Sequence, residues 1–360
     1  MKVGTAQLPL HFGSAPKWLF ERMVPLARQI ALYIIEDFGV SDLLYKLSDP
    51  FWFQALGCVL GFDWHSSGLT TTTTGALKEG LKGLEKETGF FMAGGKGATS
   101  RKTPHEIEAF GQQYGFEAAP LVYASKMSAK VDSSALQDGY QLYHHNFIFT
   151  DQGKWIVIQQ GMNEKNKMAR RYHWISETVK SFVEEPQNAI CCDRKETAVL
   201  NLIASQSQGI RKLETKLVNE ISPAGLVSHF QKIDTLKLPF HHPIYAEDFD
   251  LGRLKKILQF VKETKPQDFE ALLSAKGVGP KTLRALSLIA ELIYGQAPSF
   301  RDPARFAFAH GGKDGYPFPV ERTTYDASIG VLEKAVRWAK LGYYEEKRAL
   351  KRLHQLTGKT

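Results

Sequence analysis

The chain has little cysteine, with 3 in 360 residues. That is too few for a disulfide framework, fits a reducing, cytoplasmic setting, and excludes a four-thiolate iron–sulfur cluster held by one chain. No run of eighteen apolar residues occurs, so no membrane span is expected. The first twenty residues carry Pro9 and Pro16 and no long apolar core, so they do not read as a secretion signal. Low-complexity sequence is confined to the threonine run at 70–74, and no internal repeat is present. What is plentiful is apolar sequence: hydrophobic residues make up 43%, including 22 Phe, 13 Tyr and 6 Trp. That is enough to fill sizeable cores and to exclude a disordered chain.

Charge is unevenly placed. Residues 1–195 carry 21 Lys+Arg against 20 Asp+Glu, whereas 196–360 carry 25 against 18, so +7 of the net +8 lies in the second part. A basic domain suits a polyanionic partner, because neutralising phosphates releases counterions. A solvated basic surface gives the same count.

The periodicities suggest two domains with a boundary near 190, beside Pro186. The first, 1–190, reads as α+β. Apolar residues at helical spacing predict a helix over 17–38, with Pro25 kinking it or marking its start. Thr103 and Glu106 have capping-box spacing before a helix over 107–114. Two β-rich runs, 146–150 and 154–159, flank Asp151-Gln152-Gly153 as a β-hairpin. The second domain, 191–360, reads as all-helical, with helices over 197–205, 209–221, 251–264, 266–274, 280–294 and 323–341.

The most specific local pattern is FEALLSAKGVGPKTLRAL at 269–286. A short helix leads into Gly277-Val278-Gly279, and Pro280 opens a longer helix at its first position. The glycines permit a tight bend, Val278 anchors it, and backbone amides are left facing outward at a helix start. Such a site takes an anion. This is a helix-hairpin-helix pattern, which grips DNA phosphate without reading sequence, with Gly277, Val278, Gly279, Thr282 and Arg284 as expected contacts. An ordinary glycine turn between core helices is the bland alternative.

The segment from 196 to about 337 further resembles the helix-hairpin-helix DNA glycosylase superfamily. LNLIASQSQ at 200–208 is similar to that family's glutamine-bearing segment, which puts Gln206 where a residue probes the duplex. Lys281 follows the bend and Asp302 follows the next helix, matching the places of the lyase lysine and its aspartate. The resemblance implies a glycosylase or abasic-site lyase. A neutral Lys281 amine would attack the sugar C1′ and form a Schiff base, Asp302 would steady developing charge, and the base would be flipped out. No cofactor is implied. Lys281 as a plain phosphate contact and Asp302 as a helix N-cap stay open.

Over its whole length the chain resembles a prokaryotic family, domain of unknown function 763, through DPFWFQALGC at 49–58, FDWHSS at 62–67 and FAFAHGGKD at 306–314. That resemblance brings no activity.

Other motifs are less specific. The basic, glycine-rich run at 94–102 could cradle a phosphate or be a plain loop. Arg170, Arg171, Tyr172, His173 and Trp174 mix cations with aromatics, as single-strand binders do and as amphipathic edges also do. A possible second site gathers Asp63, His65, His145 and His173, with His144, Asp132 and Asp138 as further candidates for acid–base work or a divalent metal. None has diagnostic spacing, and His144 and His145 should point to opposite faces of a strand. If that site were real, the chain would be a metal-dependent nuclease using the hairpin as its grip. A non-catalytic DNA-structure binder is the third reading.

Overall fold

The computed structural model describes residues 15–62, 66–192, 195–233, 250–304, 322–338, 346–347 and 349–353. Helices α1 (Lys17–Phe38), α2 (Val40–Ser48), α3 (Pro50–Val59), α4 (Gly68–Leu81) and α5 (Glu85–Thr88) lead into strand β1 (Phe90–Lys96). Then come α6 (Thr103–Tyr114), α7 (Ala119–Lys130), β2 (Leu136–Gln137), β3 (Gln141–Thr150), β4 (Trp155–Asn163), β5 (Met168–Ile175), β6 (Ala189–Cys191) and β7 (Leu200–Asn201). The remainder is helical: α8 (Gln208–Glu220), α9 (Pro223–Ile233), α10 (Leu251–Thr264), α11 (Phe269–Ser274), α12 (Pro280–Leu292) and α13 (Arg322–Trp338). The fold is α+β.

An antiparallel sheet in the order β1-β3-β4-β5-β6 forms the middle layer. Its strands alternate between two cores. Phe147, Phe149, Trp155, Val157, Tyr172 and Trp174 pack on one side with α6, α7 and the later helices. Phe90, Met92, Ile148, Ile156, Ile158 and Ile175 pack on the other with α1–α4 and α13. Burial on both faces explains why these strands read as unbroken apolar runs. The β3–β4 turn falls at Asp151-Gln152-Gly153, where Gly153 takes φ 81, a value glycine tolerates.

Three local expectations are corrected. Residues 197–205 do not form a helix. Leu200 and Asn201 form β7, which pairs with β2, the Leu202 amide bonds the Ala135 carbonyl at 3.0 Å, and Asn201 also bridges Ser299. The Thr103 side chain does not cap α6: its hydroxyl donates to the Ser100 carbonyl at 2.7 Å, and Glu106 turns to Lys78 and the Gly94 amide. Pro25 does not mark the start of α1, which runs through it. One apolar cluster draws members from both sides of residue 190, from Phe91 to Ala304.

Candidate nucleic-acid interface

The bend at 275–280 lies on the surface. Gly277 is exposed and Gly279 half-buried, while Val278 between them is buried at 2% exposure and fixes the turn to the core. Asp268 caps α11 by accepting from the Ala271 amide at 2.8 Å, and Pro280 opens α12. Gly277 sits at φ 87, the left-handed region that favours glycine. Gly279 differs: φ −148 and ψ −171 suit any residue, and a Cβ there would meet nothing nearer than the Gly277 carbonyl at 4.0 Å. Among the described residues neither glycine amide is hydrogen-bonded; the nearby bonds run from Val278 to Ala275 and from Leu283 to Gly279. Helix α10 lies alongside, with Ile257 3.2 Å from the position of a Gly277 Cβ. One turn either side of Ile257, Arg253 and Phe260 are exposed.

Residues sequence reasoning passed over hold this bend in place. Lys130, which ends α7, donates its Nζ to the Ala275 carbonyl at 2.7 Å. Gln137 donates to the Pro280 carbonyl at 2.9 Å and accepts from Arg284 Nε at 2.9 Å. The first part of the chain thus grips both ends of the turn. No local pattern announces these contacts, which span more than 140 residues.

The expected contact residues divide. Lys281 and Gln206 are exposed, Gln206 in a single 3-10 turn and not behind a core helix. Thr282 is buried at 3% and Arg284 at 9%, so both belong to the packing behind the bend. Burial also pulls the Arg284 guanidinium down to about 10.

Asp302 is drawn into a different structure. Its carboxylate accepts from Arg170 at 2.7 and 3.1 Å and from the amides of Glu196 and Ala304 at 2.6 and 2.9 Å. Arg170 also pairs with Asp138 at 2.9 Å, and the Tyr172 hydroxyl donates to Asp138 at 2.7 Å. Both oxygens of Asp302 are therefore committed inside the protein, which corrects the expectation that it steadies charge beside Lys281. The Arg170–Trp174 run is corrected likewise: all five residues are fully buried and offer no strand-binding edge.

Of the second constellation, the two described members, His145 and His173, are not brought together. His145 and His173 lie on opposite faces of the sheet. His145 Nδ1 meets Gln159 Oε1 at 2.7 Å and Nε2 meets the Ser125 hydroxyl at 2.9 Å. Because Gln159 Oε1 only accepts, Nδ1 carries the proton and Nε2 accepts. Burial holds this imidazole neutral, down to about 4. His173 accepts from Arg171 Nε at 2.9 Å and stands edge-on to Phe53; burial, with Arg171 beside it, holds it well below the usual histidine range. His144 is on the His173 side, against Thr74 at 3.1 Å, as the strand alternation requires. Asp132 is wholly buried and accepts from Gln159, Gln187 and Trp174. Asp63 and His65 lie outside the described residues, and among the described residues no group of three or more His, Cys, Asp or Glu is placed to hold a metal. No helix among them is long and apolar enough to cross a membrane. The run at 97–102 forms an exposed 3-10 turn ahead of α6.

The model of one protein family, described as a protein of unknown function (DUF763), matches residues 4–320. The chain belongs to that family. The match spans the sheet, helices α1 to α12 and the bend, so the DUF763 region is not confined to one half of the chain. No curated protein and no solved structure matches.

Proposed function

We propose that the chain binds the sugar–phosphate backbone of DNA through the bend at 275–280, gripping shape and charge without reading sequence. The observation that carries this reading is Gly279. The fold leaves a glycine where neither backbone conformation nor packing calls for one, at the mouth of an exposed turn with two unbonded amides. Close approach of another backbone is what such a position suits. Exposed Lys276, Lys281 and Arg253 supply the matching charge. The test is fluorescence anisotropy of the full chain on a labelled duplex over a salt series. Binding should weaken steeply as salt rises and vary little with sequence. A flat salt response, or no binding at low salt, overturns the reading.

A lyase acting on abasic DNA is the second reading, favoured by the exposed position of Lys281 in the first turn of α12. A neutral Lys281 amine would add to the open-chain C1′ aldehyde and expel water to give the imine. With Asp302 committed to Arg170, proton transfer there would fall to another group or to solvent. Borohydride trapping on an abasic duplex tests this, the adduct being lost in Lys281→Ala. No adduct leaves a DNA-structure binder.

A further inference from the structure

Lys130 ends α7 and sits half-buried against the bend, its Nζ on the carbonyl that closes α11. A cation withdrawn from water is ordinarily held by a carboxylate, since desolvation is costly without a counter-charge. Among the described residues none pairs with it: its hydrogen-bond partner is a carbonyl dipole. The acids on the elements packed around it are engaged elsewhere or turned to solvent. Glu270 on α11 takes the Tyr123 hydroxyl at 2.6 Å, Asp268 caps α11, and Asp132 is enclosed by its three N–H donors. The other charged groups nearby in the chain or at the bend are cations: Lys126 one turn back, Lys276 and Lys281 on the bend, and Arg284 held by Gln137. A partly desolvated cation therefore sits beside an exposed turn, bonded to a carbonyl and without a carboxylate from the described residues.

We propose that Lys130 is the counter-ion of the phosphate taken at the bend, so that the first part of the chain supplies a charge to the DNA site. This rests on the backbone-binding reading above. Desolvation alone lowers the Lys130 amine to about 8, so about half of it is neutral near pH 8. A bound phosphate favours the cation and raises it again. Binding therefore takes up a proton, and affinity falls as pH climbs past about 8.

The experiment is anisotropy on one duplex at pH 6.5 and 9 over a salt series, with the full chain and the variants Lys130→Gln and Lys130→Arg. The unsubstituted chain should weaken by about tenfold between the two pH values. Lys130→Gln should bind about tenfold more weakly at pH 6.5, with a salt slope shallower by about one and no pH dependence. Lys130→Arg should keep the affinity and lose the pH dependence, because arginine stays charged. If losing the Ala275 bond merely displaced the bend, Lys130→Gln would weaken binding equally at both pH values and leave the profile intact, which overturns the proposal. So does an unchanged salt slope. Salt-dependent binding that ignores Lys130 sinks this inference alone, and absence of binding by the unsubstituted chain sinks both.

Discussion

The sheet interior and the bend treat charge in opposite ways. On β5, Arg170 is fully enclosed and answered by two aspartates, a tyrosine hydroxyl acting through one of them, and the Tyr140 ring 4.6 Å away. At the bend, Lys130 is half-enclosed and answered by one carbonyl. The first arrangement answers its charge with carboxylates of its own fold and ties β5 to Asp302 across 132 residues, although Arg170 Nε has no partner, so its charges are structural. The second is left open on the side facing water. An opposite charge supplied by the fold, more than the presence of charged residues, separates a group that holds the fold from one that can meet a partner.

The sharpest way to break this comparison is Arg170→Met. Removing the cation leaves Asp138 and Asp302 buried without it, at a cost of about 3–5 kcal/mol. Urea unfolding measures the loss, and adding Asp138→Asn and Asp302→Asn should recover part of it. DNA affinity per folded molecule should stay unchanged. A loss under about 1 kcal/mol would mean that the cluster is not the lock described.

A smaller effect comes from a carboxyl whose fold supplies only half its needs. Glu214 on α8 is fully buried; Ser287 donates to one oxygen at 2.6 Å and the other has no partner. Burial pushes it up to about 8. A raised carboxyl favours the fold when protonated, so its contribution is complete below about 4.5 and is lost as pH rises through about 8. Asp132, raised by burial to about 7, adds a similar dependence that ends lower. Between pH 7 and 8 the unsubstituted chain should therefore lose about 1 kcal/mol of stability, and Glu214→Gln should flatten that interval. Denaturant midpoints at the two pH values read it, and equal slopes in both proteins would contradict the assignment.

What the sequence made legible follows the range of the interactions. Helix α10 lies over 251–264 as its apolar spacing predicts, and the β3–β4 hairpin falls at its Asp-Gln-Gly turn, because both are decided within a few residues. The bend was readable for the same reason: two glycines, a proline and flanking leucines are a local signal. Residues 197–205 were misread because their leucines and isoleucine suit either period, and pairing with β2 decided between them. Arg170 and Arg171 looked like a ligand edge because nothing local says that β5 is an inner strand covered on both faces. Asp302 matched a family position by spacing, while its partner came from another part of the chain. Lys130 and Gln137 carried no signal, since their roles exist only once α7 and β2 reach the bend.

The smallest expected change in stability is the most informative about function, and it sets the two glycines of the bend against each other. Gly277→Ala places a Cβ at φ 87 and within 3.2 Å of Ile257, so it should cost about 1–2 kcal/mol and blur any binding measurement with misfolding. Gly279→Ala meets open space and an unstrained backbone, so it should leave the unfolding midpoint within about 0.5 kcal/mol of the original. Yet the new methyl stands where a phosphate would approach the amides, and duplex affinity should fall by about tenfold. A bend that serves only to join two core helices would show the reverse order for binding, with Gly277→Ala weaker and Gly279→Ala silent. That pattern, read from thermal melts and anisotropy on the same samples, would return the turn to the packing of the core.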